Sequence, residues 1–285
     1  MNFTRRQLFI SAGLAGAGLG VGKFLLDREN ERQIYGENKK SHKIVIGHQH
    51  LKNTFDKNSY LASVEIDSGL NYRIPTKCYP HGILLHPKNE NTVICFPKFG
   101  LVANEVNLQE NKSIKDINCI ENREFYGHGV FSKNGDTVMS TEVNTKTGEG
   151  LLVVRDGVSY KEMGQIKTYG IGPHDCRLLP DGKTVIIANS GNYILPPIAN
   201  QVEPRSVRVI ENSCLSWVDL SSGKLLDKKE IPSPMLSVGH FEVSGQYVVA
   251  ITLPQPNSKI PNIESHALRK NDCVFISDSG AMSLG

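Results

Sequence analysis

The sequence lacks a strong net charge, a paired-cysteine motif and a local histidine motif for metal. It has 32 Lys and Arg against 29 Asp and Glu, so the net charge of +3 does not favour nucleic acid as a partner. The six cysteines include no Cys-x-x-Cys pair, which excludes a zinc ribbon, a thioredoxin motif and c-type haem attachment. No His-x-x-x-His or His-Glu-x-x-His spacing occurs. A self-contained metal site within one short segment is therefore excluded.

The sequence also has few aromatic residues and almost no amphipathic helical pattern. Aromatic residues make up 7% of the chain, but the hydrophobic content of 39% is enough for a packed core, so wholesale disorder is excluded. The scattered cysteines favour buried free thiols, although one or two disulfides are compatible with the sequence.

The N-terminus combines a twin arginine with a short apolar stretch. Arg5 and Arg6 follow Thr4 and precede an apolar run at residues 8–22. This arrangement resembles a Tat signal, with a soluble basic helix as the alternative. No clean Ala-x-Ala cleavage site stands directly before Asp27, so a cleaved signal and an uncleaved membrane anchor both fit. We predict a Tat signal at residues 1–26, a polar linker at 27–42, and export by the Tat translocase to the periplasm.

The rest of the chain contains a repeat. Four segments place a Gly or Pro before a histidine, followed by an apolar strand, a turn and a second strand; they begin at Pro80, Gly127, Pro173 and Gly239. The histidines are spaced by 47, 46 and 66 residues, and a Pro-rich insertion at residues 190–212 accounts for the longer interval. A period near 46 lies within the range of about 40–50 residues typical of β-propeller blades.

Hairpin patterns complete each blade. Predicted strands at residues 60–66 and 71–77 flank one Ser-Gly turn, and those at 215–220 and 224–231 flank another. Strands at 150–155 and 159–168 flank an Asp-Gly turn. Such turns favour tight hairpins because glycine accepts positive φ. The sequence therefore predicts an all-β fold, a β-propeller of four-stranded blades at residues 43–285, with 190–212 as a loop inserted within a blade.

The motifs resemble one bacterial family. Beside the twin arginine, the chain carries Gly-His-Gly-Val-Phe-Ser from Gly127, Gly-Pro-His-Asp from Gly172 and Ala-Asn-Ser-Gly from Ala188. Together these are similar to the exported propellers of domain-of-unknown-function family fifteen-thirteen. The resemblance implies a periplasmic seven-bladed propeller, often encoded near iron-uptake components, which would be its partners. It implies no established reaction.

The aligned histidines are the first candidate site. Each stands at the entrance to the innermost strand of its blade, so all should surround one mouth of the central channel. We predict a ligand-binding set of His81, His128, His174, His240 and Asn189, of which His128, His174 and His240 are the candidate metal ligands. Imidazoles there would suit a transition metal such as iron or copper, an anion or an iron chelate. The alternative is that these histidines form hydrogen bonds within or between blades.

A catalytic site is the second candidate. Propeller lactonases resemble this chain in blade pattern and place a Glu, a His and an Arg near the channel mouth. Glu142, His174 and Arg177 are the residues here that could fill those roles, with the carboxylate as general base and the guanidinium holding an anion. The functional hypotheses are thus a periplasmic propeller that binds a ligand or partner, linked to iron or metal handling; a metalloprotein; and a hydrolase of sugar-acid lactones.

The length suggests an incomplete ring. Residues 43–285 are 243 residues, about five periods, whereas seven blades at this period would need roughly 320 residues. The segment at 273–280 repeats the third-strand pattern of residues 64–69, yet only five residues follow it. We expect a C-terminally incomplete propeller of about five blades.

Overall fold

The structure, a computed structural model, describes residues 43–49, 59–66, 68–194, 207–209, 211–231, 236–245, 247–254 and 274–278. Within these ranges the chain forms twenty β-strands and no helix. None of the described residues therefore belongs to a helix long and apolar enough to cross a membrane. The predicted signal and linker, residues 1–42, lie outside the described residues.

The strands are short and follow one another closely. In chain order they are β1 Lys43–Gln49, β2 Ser59–Glu65, β3 Asn71–Thr76, β4 Gly82–His86, β5 Asn89–Phe96, β6 Val102–Asn107, β7 Lys112–Asn118, β8 Arg123–Phe131, β9 Thr137–Asn144, β10 Glu149–Asp156, β11 Glu162–Ile171, β12 Pro173–Leu178, β13 Thr184–Asn189, β14 Asn192–Ile194, β15 Val207–Val209, β16 Cys214–Asp219, β17 Leu225–Glu230, β18 Leu236–Ser244, β19 Tyr247–Pro254 and β20 Val274–Asp278.

Five successive antiparallel sheets form the blades. Three have four strands, in the orders β4-β5-β6-β7, β8-β9-β10-β11 and β12-β13-β16-β17. In the described residues the first sheet, β1-β2-β3, and the last, β18-β19-β20, have three. The predicted all-β propeller of about five blades is confirmed. The described ends of the insertion pair as the small sheet β14-β15.

Each hairpin is closed by local chemistry that the sequence carries. Between β12 and β13 the Asp181 carboxylate accepts the backbone N–H groups of Lys183 and Thr184 at 2.8 and 2.9 Å. Between β16 and β17 Asp219 accepts the N–H of Ser222 at 2.8 Å. An aspartate that bonds the backbone two or three residues later favours a turn over continued strand. These turns fix the register of the strands that carry the candidate site.

The apolar cores lie between neighbouring blades. Phe96 of β5 packs on Phe125 of β8, with ring centroids 5.8 Å apart, and both are buried. Leu215 of β16 and Val238 of β18 belong to another buried cluster. Complete burial of one such side chain contributes about 1.5–3 kcal/mol, so blade-to-blade packing is the main source of stability. The five cysteines within the described residues are free, and four of them are buried.

Candidate metal centre

The innermost strands of four consecutive blades meet side by side. Strand β4 contacts β8, β8 contacts β12, and β12 contacts β18. Two glycines permit the close approach. A Cβ atom on Gly82 would lie 2.4 Å from the carbonyl oxygen of Gly127, and one on Gly127 would lie 2.4 Å from that of His174. Gly127 also has φ of 143°, a conformation that favours glycine. A side chain at either position would push the inner strands apart.

Irregular pairing brings the histidines of three inner strands toward the channel. The register with the second strand of the blade shifts between Phe125 and Gly129, between Pro173 and Asp175, and between Val238 and His240. Each shift falls at or next to the aligned histidine. A β-bulge turns a side chain away from its regular direction, which is why bulges are common beside functional sites. His81 lies just before β4, and its N–H donates to the Phe96 carbonyl at 2.8 Å.

The four aligned histidines form one compact group, called here the histidine cluster: His81, His128, His174 and His240. One ring nitrogen from each lies within 4.8 Å of the others. Ring centroids are 4.8–5.8 Å apart in all six pairs. The structure thus brings together every histidine that the repeat predicted for the channel mouth.

His174 is the most firmly held member of the cluster. Its Nδ1 lies 3.1 Å from the carbonyl oxygen of Tyr126, so Nδ1 carries the proton and donates it. The lone pair is then on Nε2, which lies 3.1 Å from Nε2 of His81. A ligating histidine that donates its other N–H to a carbonyl is the usual outer arrangement of protein metal sites.

Asp175 orients two further histidines from behind. Its buried carboxylate lies 3.9 Å from Nδ1 of His128 and 3.6 Å from Nδ1 of His240, and it pairs with Arg177. Since Nδ1 of each ring faces the carboxylate, Nε2 is left as the possible ligand atom. Nε2 of His128 is buried and has no hydrogen-bond partner among the described residues. A buried polar atom without a partner calls for an ion or water that satisfies it.

The electrostatics of the cluster keep three of its rings neutral, those of His81, His128 and His174. Burial, followed by the neighbouring histidines, lowers the pKa of His81 to about 3 and holds that of His174 well below its usual value. Burial lowers the pKa of His128 to about 4, although Asp175 opposes the shift. Burial alone would raise the pKa of Asp175, but the charges of His128 and Arg177 outweigh it, so this pKa is lowered. At neutral pH these rings offer lone pairs rather than positive charge.

The donor set fits a transition-metal ion. Metal–imidazole bonds of about 2.0–2.1 Å place tetrahedral ligand nitrogens about 3.3 Å apart, and opposite nitrogens of a square arrangement about 4.1 Å apart. The nitrogens of His81 and His174 are already at 3.1 Å, and the widest separation in the cluster is 4.8 Å. Closure around an ion therefore requires side-chain adjustments below about 1 Å.

The proposed catalytic residues are divided between two sets of contacts. Glu142 is fully buried and pairs with Arg155 at 2.5 Å and with Arg123 at 3.5 Å. No hydrogen bond or ion pair joins Glu142 to His174 within the described part of the chain. Arg177 pairs with Asp175 and lies over the Phe241 ring at 5.5 Å. The lactonase role of these residues stays a prediction.

Asn189 lies at the end of β13, within the sheet. Its Nδ2 donates to the Thr168 carbonyl at 3.1 Å and to Ser216 Oγ at 3.0 Å, and the residue is fully buried. These bonds connect Asn189 to neighbouring strands. Its predicted role in ligand binding stays untested.

Sequence reasoning overlooked two residues that support the cluster. Asp175 directly follows His174, and that adjacency was its available signal. Thr141 is buried, and its hydroxyl donates to the carbonyl of His128 at 3.0 Å while accepting the N–H of the same residue at 3.2 Å. Nothing in the repeat distinguishes this threonine from other strand residues.

Comparison with known families identifies the chain. The family model described as "Protein of unknown function (DUF1513)" matches residues 72–267, more than half of the chain. The chain belongs to this family. The residues matched by the DUF1513 model include all four histidines of the cluster. No curated protein matches the sequence.

Solved structures match this DUF1513 chain at low sequence identity. Hydrazine synthase of Kuenenia stuttgartiensis superposes with a TM-score of 0.57 and 16% identity, covering 78% of this chain and 57% of that one. A functionally unknown protein of Desulfotomaculum acetoxidans gives 0.49 and 13%, covering 75% and 62%. The Cps50 (Swd1) β-propeller domain of Myceliophteria thermophila gives 0.41 and 13%, covering 68% and 77%. The chain thus spans little more than half of the hydrazine synthase chain.

Proposed function

We propose that this propeller binds one transition-metal ion through the histidine cluster. The observation that carries the proposal is the convergence of four ring nitrogens within 4.8 Å, with Nε2 of His128 buried and lacking a hydrogen-bond partner among the described residues. The rings contact one another closely, yet only His81 and His174 are within hydrogen-bond distance through their Nε2 atoms. An ion that accepts their lone pairs would satisfy them together.

The chemistry of the donors limits the choice of metal. Neutral imidazoles suit zinc, copper, nickel and iron, whereas calcium and magnesium prefer oxygen ligands. Among divalent first-row ions, Cu²⁺ is bound most tightly by sites with nitrogen ligands. We therefore expect Cu²⁺ to have the highest affinity for the cluster in vitro. Iron or copper, both expected from the sequence, remain our candidates for the ion bound in the cell.

The cellular setting is also part of the proposal. Export by the twin-arginine route would place the site in the periplasm, where a metal-binding propeller could work with iron-uptake proteins. The site is proposed as a binding centre, with no reaction assigned. Both location and partners rest on the sequence of the N-terminus and on the family resemblance.

Direct metal analysis of the full-length protein tests the proposal. We expect one Zn²⁺ or Cu²⁺ per chain by titration calorimetry and elemental analysis, and loss of that ion in the His128→Ala/His174→Ala double variant. His86→Ala is the matched control, because His86 packs on Phe131 with centroids 4.8 Å apart and does not belong to the cluster. Absence of stoichiometric metal in the wild type, or retention in a folded double variant, would overturn the proposal.

A further inference from the structure

A metal ion in the histidine cluster would bring charge that the surrounding protein does not neutralise. A histidine that binds a metal through a ring nitrogen does so as a neutral imidazole, so the four candidate ligands bring no negative charge. The ion pairs that involve the cluster within the described residues are all with Asp175, whose charge is already offset by Arg177. Cysteine or carboxylate ligands would compensate a divalent ion, but this donor set contains neither. The loaded site would therefore be strongly positive.

Lys98 adds a further positive charge near the cluster, where burial and, to a smaller extent, this charge lower the pKa values of His81, His128 and His174. It follows Phe96, whose carbonyl accepts the N–H of His81, by two residues. Its Nζ lies 5.6 Å from the centre of the Phe99 ring, and that ring packs on Tyr126 at 5.1 Å. Tyr126 in turn provides the carbonyl that holds His174. Lys98 has no ion pair with an acidic residue within the described ranges. Its ammonium group is thus available to a ligand that approaches the cluster.

One side of the cluster is open to solvent. The side chain of His240 is 43% exposed, whereas that of His128 is 14% exposed and His174 is buried. Lys98 is also exposed. An ion held by the four imidazoles can therefore take an external ligand as a fifth partner from this exposed side. Metal sites that keep such an open position bind water or a small ligand there.

We propose that the metal-loaded histidine cluster binds a small oxyanion at this open position, with Lys98 pairing with the bound anion. The proposal rests on the proposed function, because the ion supplies the first contact. Phosphate and carboxylates share the required chemistry, a negative oxygen that binds an ion and accepts a hydrogen bond from an ammonium group. The metal-free cluster, made of neutral rings, should bind such anions far more weakly.

Cobalt-loaded full-length protein provides the test, since Co²⁺ reports its ligands by visible absorption. Cobalt binding is measured first, in buffer free of coordinating anions; inorganic phosphate and acetate are then titrated separately. We expect a saturable spectral change at one anion per ion. The anion with the lower Kd, phosphate or acetate, shows whether the site prefers a phosphate or a carboxylate. Lys98→Gln should raise the anion Kd at least about tenfold, the loss of one charge-assisted hydrogen bond, with the cobalt Kd little changed.

Lys115→Gln is the matched control. Lys115 also stacks on an aromatic ring, Tyr160 at 5.1 Å, and donates to the Val158 carbonyl, away from the cluster. The cobalt-loaded Lys115→Gln protein should bind the anion with the affinity of the wild type. Normal cobalt binding without an anion response overturns this inference alone, as does equal affinity in Lys98→Gln or in metal-free protein. Failure of Co²⁺, Zn²⁺ and Cu²⁺ alike to bind overturns the proposed function and this inference with it.

Discussion

Two groups of buried ionisable side chains lie in neighbouring parts of the propeller, and they differ in how charge is compensated. In the blade of β8–β11, Glu142 pairs with Arg123 and Arg155, while Arg123 also pairs with Glu162. Two cations thus face two anions within one sheet. In the histidine cluster the rings of His81, His128 and His174 are neutral, and Nε2 of His128 has no hydrogen-bond partner among the described residues.

The difference separates a group that serves the fold from one that serves a ligand. Arg123, Glu142 and Arg155 are nearly inaccessible, and their net charge of +1 is cancelled by Glu162. The charges of this network are paired within the protein, and breaking it leaves a buried charge. The histidine cluster is open on one side and has unused lone pairs. Its chemistry is complete only with an added ion.

The largest expected effect comes from breaking the balanced network. Glu142→Gln leaves Arg123 and Arg155 with one remaining carboxylate, so the free energy of unfolding should fall by about 3–5 kcal/mol. Urea denaturation of the purified variant measures this loss. Metal stoichiometry of the folded fraction should be unchanged, because no hydrogen bond or ion pair connects Glu142 to the cluster within the described residues.

Glu162→Gln is the control for this prediction. Glu162 contacts the same Arg123, but its side chain is 26% exposed, so water can replace it and the loss should be smaller. A Glu142→Gln protein of wild-type stability would contradict the structural role. If such a protein also lost hydrolysis of a lactone substrate, the lactonase hypothesis would regain support.

A smaller effect is expected from the carboxylate behind the cluster. Asp175→Asn removes the charge that faces His128 and His240, so affinity for Zn²⁺ should fall about 10–100-fold, the usual loss when an outer partner of a ligating histidine is removed. Competition with a chromophoric chelator measures the affinity. Asp181→Asn, which alters an exposed turn of the same hairpin, should leave affinity unchanged. Equal affinity in folded Asp175→Asn would assign Asp175 to the fold alone, through its pair with Arg177.

Much of the fold can be predicted because the repeat places apolar residues and turn residues at regular intervals. The predicted strand at residues 150–155 lies within β10, and that at 215–220 differs from β16 by one residue at each end. A continuous apolar run such as Thr-Val-Ile-Ile-Ala-Asn predicts a strand that is buried on both faces, as in the centre of a blade. The sequence also shows the glycine before His128. It does not show the contact that requires this glycine, which is with His174 of the next blade.

The supporting residues of the site could not be predicted, because their roles depend on register and bulges. Alternation along β9 sends Thr141 to the cluster and Glu142 to the opposite face, and only the pairing of β8 with β9 decides which is which. The same applies to Asp175, whose two histidine contacts come from blades before and after its own. A one-residue bulge has no signature in a single sequence.

The smallest expected effect is the change in the free energy of unfolding of the metal-free protein as the pH is lowered. In the folded state His81 and His128 have pKa values of about 3 and 4, whereas unfolded histidines protonate near 6.5. The unfolded state therefore binds more protons between about pH 6.5 and 4, and stability should fall as pH falls through this window, by up to about 1.4 kcal/mol per pH unit for each histidine. Asp175, with its lowered pKa, adds a loss mainly below about pH 4, because an unfolded aspartate protonates near that value.

Urea denaturation in EDTA from pH 7.5 to 4.5 measures the slope, and His128→Gln should make it shallower because one neutral ring that resists protonation is gone. His86→Gln, outside the cluster, should keep the wild-type slope. Saturating Zn²⁺ should steepen it, since protons then compete with the ion for the same lone pairs. A wild-type slope in His128→Gln would mean that the cluster does not govern the acid response, and the contrast between the balanced network and the neutral rings would lose its energetic basis.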